Sequence, residues 1–350
     1  MEFQIHEKGI HPMKRVLLIA GAGTLGGSTY PELLKLGYSV DVISLEDFAS
    51  VSPRLGFVKA RADLDCLKAF FAEHGRYDAV VDFVHTPDEQ ALFARIDFLL
   101  EQTDQFVFLS SYRTYADRDR VITEDSPQWM ESTTDPTFLS QDDYAIPKQK
   151  GEKHLRASGR RNWTVIRPVI SFTHYRLDLV TVGAYAILSR PAAGKRILLP
   201  AECRGNHAGV TWGGNTGLLL SRLIGNPRAL GEAFTLGSDE VLTWGDVASY
   251  YEEFAGAKFE WVPVEDYLAY GTPNTYMHRQ MIYADRILDR TVDVSKVLRV
   301  TGVEPTQFMP CRLAVAHELA ILSERPDLVA RFATEEEKAR SHRMDEYLAL

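Results

Sequence analysis

Residues 16–37 read VLLIAGAGTLGGSTYPELLKLG, and this stretch decides the fold. It opens with a short apolar run, which predicts a strand that is buried on both faces. A glycine turn follows, and then a segment of helical length that ends before Gly37. A strand, a tight turn and a helix in this order form the first part of a βαβ unit.

The same alternation continues along the first half of the chain. Further strands are predicted at 38–44, 57–64, 77–84, 105–111 and 162–169, with helices over 66–75, 88–102 and 142–158. Apolar strands that alternate with helices are typical of a parallel sheet covered on both faces. The sequence therefore predicts an α/β fold with a Rossmann-type, doubly wound parallel sheet.

The composition excludes several classes of function. The chain has 350 residues with a formal net charge of −9, and 45% of its residues are hydrophobic. This content argues against disorder, and an acidic chain lacks the basic face that nucleic-acid binding needs. No apolar run reaches about 18 residues and no signal peptide is recognised, so we expect a cytoplasmic protein without membrane contact. The separated cysteines and the histidine spacing predict neither disulfides nor a metal site.

The glycine turn matches the pattern G-x-G-x-x-G between the first strand and the first helix. Glycines allow the tight turn and a close backbone approach, and the helix N-terminus offers amide donors to a pyrophosphate. In this context the motif predicts a dinucleotide site. The predicted contacts of the turn are Gly21, Gly23, Thr24, Leu25 and Gly26.

The end of the second strand decides between NAD and NADP. An acidic residue there would bind the ribose hydroxyls of NAD, whereas a basic one would bind the extra phosphate of NADP. Asp41 has the usual spacing but is predicted to lie inside the strand, and Ser44 stands at its end. Glu46 and Asp47 follow, and the next basic residue is Arg54. The sequence therefore favours NAD over NADP, with Ser44 beside the ribose.

The second half of the chain has a different pattern of predicted secondary structure. It is richer in turns, with helices expected at 213–225, 243–255, 283–301 and 308–324. The predicted organisation is a flexible extension over 1–12, an NAD(P)-binding domain over 13–172 and a smaller mixed α/β substrate domain over 173–350, from which segments within about 205–255 can return to the first domain.

A tyrosine, a lysine and a serine form the candidate catalytic set. Tyr144 and Lys148 are four residues apart, so they share one face of a helix. An ammonium group near a phenol favours the phenolate, and Tyr144 is then a base that removes a hydroxyl proton while hydride leaves the same carbon. Ser110 and Ser111 end the fifth strand at the carboxyl edge of the sheet, where a serine hydroxyl would contact the reacting oxygen.

In combination these residues resemble the extended short-chain dehydrogenase/reductase family, in its NAD-dependent epimerase/dehydratase branch. The resemblance covers roughly residues 13–325. Its motifs are AGAGTLGG (20–27), FVFLSSYRTYA (106–116), YAIPK (144–148), IRP (166–168) and the segment 231–256.

The resemblance implies several cofactor contacts outside the glycine turn. Asp63, with Leu64 beside it, would touch the adenine, and Val84 would line the nicotinamide side. Tyr144 and Lys148 would be cofactor contacts as well, with Lys148 on the nicotinamide ribose. The alignment of Tyr115 with the tyrosine of the family's V-Y-G motif places the catalytic serine at Ser111. The first motif glycine of the family falls on Ala20 in this chain.

Departures from the family bear on the substrate. Sugar 4,6-dehydratases follow their catalytic threonine with Asp-Glu, whereas Tyr112 and Arg113 follow Ser111 here, which disfavours dehydration. The substrate-side residues also differ from those of well-known nucleotide-sugar enzymes. The resemblance places substrate contacts at Arg113, His174 and Arg176. An arginine there could pair with a diphosphate or a carboxylate.

The function favoured by these observations is NAD-dependent oxidation and reduction at a secondary alcohol of a sugar-like small molecule. Among enzymes of this kind, a nucleotide-sugar epimerase is favoured. One alternative is a net dehydrogenase or reductase that uses NAD or NADP on a non-nucleotide substrate. Another is a non-catalytic dinucleotide-binding protein that senses redox state or binds a partner. The resemblance also implies a homodimer formed through the helices around 88–102 and 142–158.

Overall fold

The computed structural model describes residues 14–46, 48–117, 120–273 and 275–350. The flexible extension predicted over 1–12 lies outside these residues. The strands, in chain order, are β1 (Arg15–Ile19), β2 (Ser39–Ser44), β3 (Leu55–Lys59), β4 (Tyr77–Asp82), β5 (Thr103–Leu109), β6 (Val121–Ile122), β7 (Trp163–Pro168), β8 (Ile170–Phe172), β9 (Asp178–Leu179), β10 (Val182–Gly183), β11 (Ile197–Pro200), β12 (Val210–Trp212), β13 (Glu232–Leu236), β14 (Phe259–Val262) and β15 (Thr291–Val292).

The α-helices connect and cover these strands. They are α1 (Thr24–Lys35), α2 (Leu64–His74), α3 (Glu89–Glu101), α4 (Trp129–Ser132), α5 (Pro136–Gln141), α6 (Ala145–Ala157), α7 (Ala184–Ala192), α8 (Gly213–Leu223), α9 (Trp244–Ala255), α10 (Val264–Asp266), α11 (Tyr276–Met281), α12 (Ser295–Thr301), α13 (Cys311–Ser323), α14 (Pro326–Arg331) and α15 (Glu335–Leu348). Short 3₁₀ turns span Tyr112–Thr114, Ala201–Cys203, Pro227–Ala229 and Pro305–Gln307, and π-helical turns span Tyr267–Gly271 and Ile282–Arg286.

Seven strands form one parallel sheet in the order β13-β7-β5-β4-β1-β2-β3. Ile19, at the end of β1, is paired with Asp82 of β4 on one side and with Ile43 of β2 on the other. Because the chain proceeds outward from β1 in both directions, the topological switch point lies at the carboxyl end of β1. Ligands of doubly wound sheets bind at such a point, and the glycine turn follows it directly.

Successive residues of β1 enter two different cores. On one face, Val16 and Leu18 pack with side chains of α1, α8 and α12. On the other face, Leu17 and Ile19 pack with side chains of α2, α3 and α6. All four are completely buried, and each such side chain contributes about 1.5–3 kcal/mol to folding. The sheet is covered by helices on both faces, so the predicted α/β, Rossmann-type fold is confirmed.

Residues after 172 contribute most of a further core around α7, α9 and α13, and this core includes the paired strands β11 and β14. Two elements from this half of the chain belong to the large sheet and its cover. β13 pairs with β7, with Phe234 opposite Ile166, and α8 packs against α1. Of the helices in the described ranges, none is long and apolar enough to cross a membrane.

The prediction of a helix over 283–301 is wrong for the first half of that range. A π-helical turn ends at Arg286, and α12 begins only at Ser295. Between them β15 pairs with β6, and the amide of Thr291 donates to the carbonyl of Arg120 at 2.8 Å. This pairing joins segments about 170 positions apart, and such a long-range contact overrides the local helical pattern.

Candidate active site

The glycine turn contains close contacts that a side chain would prevent. A Cβ atom on Gly21 would lie 2.5 Å from the Cβ of Leu18, and one on Gly26 would overlap the main chain of Gly21. Ala20 has a φ of 56°, a left-handed conformation that favours glycine and costs other residues about 1–2 kcal/mol. The backbone at Ala20 is therefore glycine-like, although the side chain there is a methyl group.

Gly23 leaves open space in front of α1. A Cβ atom on Gly23 would meet no described atom within 4 Å, and the first turn of α1 contains no acidic residue. Thr24 and Leu25 begin the helix, and the first amides of a helix have no partners within it. These amides and the positive end of the helix dipole fit the pyrophosphate of a dinucleotide.

A cleft extends along the carboxyl edge of the sheet on both sides of the glycine turn. One cavity of about 660 Å³ lies beside β1, β2 and β4, and another of about 400 Å³ lies between the turn and α14. Ala20, Ser44 and Leu45 line both cavities. The larger one also contains the predicted cofactor contacts Asp63, Leu64 and Val84. The structure thus places residues from four separate segments in one cleft.

Ser44 and Asp63 each have one main-chain partner in this cleft. The Ser44 hydroxyl, at the end of β2, accepts a hydrogen bond from the amide of Glu46 at 3.1 Å. Asp63 accepts from the amide of Cys66 at 2.9 Å and so caps α2. Both side chains keep hydrogen-bonding capacity for a ligand, because a hydroxyl also donates and a carboxylate has several acceptor sites.

A basic residue from far along the chain reaches the end of the cleft that Ser44 lines. Arg331, the last residue of α14, forms an ion pair with Glu46, with 3.2 Å between Nη1 and Oε2. Both residues line the 400 Å³ cavity together with Ser44. Sequence reasoning missed Arg331 because 285 positions separate it from Glu46. The pair balances the charge of Glu46, so this carboxylate opposes a phosphate less than the sequence suggests.

A third cavity, of about 500 Å³, has Ser111 and Tyr144 on its wall. Ser111 follows β5, and its hydroxyl accepts from the amide of Arg113 at 3.2 Å. Tyr144 immediately precedes α6. His85 lines both this cavity and the 660 Å³ cavity, so the two spaces adjoin. The predicted serine and tyrosine therefore meet next to the predicted cofactor cleft.

Lys148 lies one helical turn after Tyr144 and is 3% exposed. Its Nζ is 5.5 Å from the centre of the Phe108 ring. Burial lowers the pKa of Lys148 to about 8, and the carboxylate of Asp82 partly opposes this shift. The lysine therefore carries its charge at neutral pH and loses it in the weakly alkaline range.

Two side chains pack on the Tyr144 ring. The imidazole of His85 lies 5.3 Å from it between ring centres, at an angle of 44°, and the guanidinium carbon of Arg113 lies 5.4 Å from its centre. Burial lowers the pKa of His85, and the charge of Lys148 lowers it further. Sequence reasoning did not identify His85. Its position three residues after β4, at the carboxyl edge of the sheet, was the only available signal.

Arg113 is a predicted substrate contact whose charge is balanced inside the protein. It lines the 500 Å³ cavity, and its Nη2 donates to Oδ2 of the buried Asp142 at 2.7 Å. Asp142 also accepts from the amides of Tyr144 at 3.0 Å and Ala145 at 2.5 Å. Asp142, which sequence reasoning missed, thus connects Arg113 to the start of α6.

The adjacent serines after β5 have different partners. Ser110 donates to Oε1 of Glu152 at 2.5 Å, and the same oxygen accepts from Nε of Arg167 at 2.9 Å. Burial opposes ionisation of Glu152, but the charge of Arg167 and the Ser110 hydrogen bond hold the pKa of Glu152 below its usual value. Ser110 is thus engaged by an interior carboxylate, whereas Ser111 is not bonded to that carboxylate.

The two remaining substrate candidates lie in different cavities. Arg176 is on the wall of the 500 Å³ cavity, with half of its side chain exposed. His174 lines the 400 Å³ cavity beside the glycine turn, and its Nδ1 is 2.7 Å from Glu318. The structure therefore groups Arg113 with Arg176 but places His174 on the cofactor side.

The fold and the site define an α/β protein with a cleft at the switch point of its sheet and with Ser111 and Tyr144 on the wall of an adjoining cavity. Among solved structures, the chain is similar to an epimerase from Methanothermobacter thermautotrophicus, at 16% identity over 91% of this chain and 95% of that one, with a TM-score of 0.65. It is also similar to UDP-glucose 4-epimerase from Thermotoga maritima, determined with UDP-glucose, at 15% identity over 89% of this chain and 99% of that one, with a TM-score of 0.64.

A third similar structure is UDP-glucose 4-epimerase from Bifidobacterium longum in complex with NAD+ and UDP, at 17% identity over 89% of this chain and 99% of that one, with a TM-score of 0.64. No protein-family model and no curated protein matches the sequence. At these identities the likeness concerns the fold. The chain has the fold of the extended short-chain dehydrogenase/reductase epimerases, and the resemblance is confirmed at that level.

Proposed function

We propose that this protein is an epimerase that uses NAD to oxidise a secondary alcohol of a sugar-like substrate and then returns the hydride to the opposite face of the keto carbon. The observation that carries the proposal is the meeting of Ser111 and Tyr144 on one cavity that adjoins the cofactor cleft through His85. The two UDP-glucose 4-epimerases of the same fold support epimerisation as the reaction and suggest a nucleotide sugar as the form of substrate.

Tyr144 performs the proton transfer in this proposal. Its phenolate oxygen accepts the proton of the substrate hydroxyl, and the same oxygen returns that proton when the keto group is reduced again. Ser111 donates a hydrogen bond to the reacting oxygen and so holds it next to Tyr144. A positioned acid–base group of this kind contributes about 10²- to 10⁴-fold to the rate. NAD, when bound, supplies the hydride acceptor.

Lys148 acts on Tyr144 through its charge. The ammonium lies one helical turn from Tyr144, and with a pKa of about 8 it carries its positive charge at neutral pH. Asp142 and Arg113 serve the same residue by a different route, since they fix the first turn of α6 and pack on the phenol ring. The base is thereby held in one orientation before a substrate arrives.

The alternative of a net dehydrogenase differs in how the cofactor is handled. An epimerase regenerates NAD in each turnover and benefits from retaining it. Leu328, Arg331 and Phe332 line the 400 Å³ cavity opposite the glycine turn, so α14 and the residue after it cover this part of the cleft. That cover supports the epimerase. The exposed Glu46–Arg331 ion pair adds less than about 1 kcal/mol, so Leu328 and Phe332 must contribute most of what this cover adds to retention.

The test is to denature the purified protein and identify the released nucleotide by mass spectrometry. We expect close to one NAD per chain. An empty protein that binds NAD or NADP reversibly would instead indicate a dehydrogenase or reductase. A protein that binds neither would support the non-catalytic alternative and overturn the proposal.

A further inference from the structure

The buried carboxylates in the described part of this protein are paired with arginines, with one exception. The exception is Glu318 of α13, which is 2% exposed and forms its ion pair with His174. An arginine is always charged, whereas a histidine is charged only when both ring nitrogens carry a proton. The other buried acids each have an arginine partner: Asp82, Asp142, Glu152, Asp178 and Asp285.

Glu318 is ionised and its oxygens are fully engaged. Oε2 accepts from the amide of His174 at 2.6 Å and lies 2.7 Å from Nδ1 of the same residue, and Oε1 accepts from Nε1 of Trp212 at 2.5 Å. Burial opposes ionisation, but these hydrogen bonds and the charge of His174 hold the pKa of Glu318 below its usual value. An ionised carboxylate only accepts, so Nδ1 carries a proton, and a second proton on Nε2 gives the positive charge that compensates a buried anion.

His174 stands next to the first turns of α1. The hydroxyl of Thr173, before it, donates to the hydroxyl of Thr24 at 3.3 Å. The ring of Tyr175, after it, lies 3.6 Å from the position that a Cβ atom on Gly27 would take. His174 itself lines the 400 Å³ cavity beside the glycine turn. The loop after β8 therefore holds the imidazole at the end of α1 that fits a pyrophosphate.

The second ring nitrogen of His174 is accessible. The side chain is 22% exposed, and Nε2 has no hydrogen-bond partner among the described residues. Nε2 is also not one of their fully buried polar atoms without a partner, so a ligand in the cavity can reach it. The other charged side chains on this wall, Glu46 and Arg331, pair with each other. The charge that the wall presents to an anion therefore depends on His174.

We infer that His174 binds the pyrophosphate of the cofactor as an imidazolium that Glu318 keeps charged. Nε2 donates to the pyrophosphate, Nδ1 donates to Glu318, and the first amides of α1 bind the same anion. A charge-assisted hydrogen bond of this kind corresponds to about 10- to 100-fold in affinity. Glu318 is a positioning residue, since it acts through His174. The inference rests on the proposed function for the identity of the cofactor, and it assigns His174 to the cofactor and not to the substrate.

The test measures how fast the full chain releases a bound dinucleotide. The protein is loaded with radiolabelled NAD or ADP-ribose, and release is followed after addition of an excess of the same unlabelled compound. His174→Asn keeps an amide that can donate to Glu318 but has no atom in place of Nε2. We expect both compounds, which share the pyrophosphate, to leave this variant at least about tenfold faster than the natural chain.

The matched control is His207→Asn. His207 contacts Asp289 in the same way, through its amide at 3.2 Å and its Nδ1 at 2.6 Å, but it lines a different, small cavity. This variant should release both compounds at the natural rate. Faster release of NAD alone from His174→Asn would place His174 at the nicotinamide end, and unchanged release of both compounds would remove it from the cofactor. Either result overturns the inference.

The pH dependence separates a charged contact from a structural one. The release rate of His174→Asn divided by that of the natural chain should fall as the pH rises from about 6 to about 9, because the natural chain then loses its imidazolium. A constant ratio overturns the inference. The other titratable or charged groups around this loop are present in both proteins: Tyr30, Glu46, Tyr175, His317, Glu318 and Arg331.

Glu318→Gln tests the positioning residue while the imidazole stays in place. It should shift the pH profile of release toward lower pH, because the imidazolium loses the carboxylate that stabilises it. An unshifted profile would contradict the role of Glu318, and urea midpoints establish that each variant is folded. A natural chain that takes up neither NAD nor ADP-ribose would overturn both the proposed function and this inference. The expected release rates in a protein without epimerase activity would overturn the proposed function alone.

Discussion

Asp142 and Arg113 form a buried ion pair beside the candidate catalytic base, with 2.7 Å between Oδ2 and Nη2. The other oxygen of Asp142 accepts hydrogen bonds from the amides of Tyr144 and Ala145, at the start of α6. The guanidinium of Arg113 in turn packs on the Tyr144 ring. One carboxylate therefore controls both the backbone that carries the phenol and a side chain that contacts it.

Replacing Asp142 should lower the stability of the protein. Asp142→Asn keeps a capping side chain but leaves the Arg113 charge buried without its partner, so we expect a loss of about 3–5 kcal/mol in the free energy of unfolding. Urea denaturation measures this loss. The matched control is Asp135→Asn, an exposed cap of α5 whose change should stay below about 1 kcal/mol. Equal losses in both variants would contradict the assigned role of the ion pair.

Removing the phenol oxygen should stop the reaction and spare the cofactor. Tyr144→Phe should lower kcat by at least about 10²-fold, because no other group takes the hydroxyl proton in the proposed mechanism. NAD affinity, measured by fluorescence quenching, should remain unchanged. Tyr283→Phe removes an exposed phenol bonded to Glu265 and should keep full activity. Full activity of Tyr144→Phe would refute the assignment of the base.

The buried lysine predicts a pH-dependent stability. The pKa of Lys148 is about 8 in the folded protein and 10.5 in the unfolded chain, so between these values the unfolded chain binds more protons. The folded state must therefore gain stability as the pH rises through this range, by about 3 kcal/mol in total. Below pH 8 the full cost of burying the charge is present.

The variant Lys148→Met isolates this effect, because every other group titrates in both proteins. The difference in unfolding free energy between the variant and the natural chain should shrink as the pH rises from about 7.5 to 10.5. Denaturant titrations at several pH values measure it. A constant difference over this range would show that the charge of Lys148 is not penalised by burial.

Two glycines of the turn are expected to have different roles, Gly26 in folding and Gly23 in NAD binding. Gly26→Ala should destabilise the protein severely, because the added Cβ would overlap the main chain of Gly21. Gly23→Ala should change the unfolding free energy by less than about 1 kcal/mol, since its Cβ meets no described atom within 4 Å and its φ is −84°. The same methyl group would stand in front of the first amides of α1, so NAD affinity should fall at least about tenfold. Normal NAD binding by Gly23→Ala would show that the pyrophosphate lies elsewhere.

Local signals in the sequence were sufficient for the sheet and for part of the candidate site. The apolar strand before Gly21, the glycine turn and the Tyr144–Lys148 spacing each lie within a short window, where hydrophobic period and backbone demands determine structure. The rule that parallel strands end at one edge of the sheet located Ser110 and Ser111, and the resemblance to a known family selected Ser111. These inferences needed no knowledge of distant contacts.

Tertiary structure alone decided the contacts that join distant segments. Arg331 reaches Glu46 across 285 positions, and Asp142 meets Arg113 only because β5 and α6 pack side by side. The segment around Thr291 became a strand because Val121 and its neighbour offered it a partner. The sequence by itself determined the α/β fold, the glycine turn and the candidate catalytic residues, because these depend on local periodicity. The balance of charge around them depends on which side chains the folded chain brings within a few ångströms, and no short stretch of sequence contains that information.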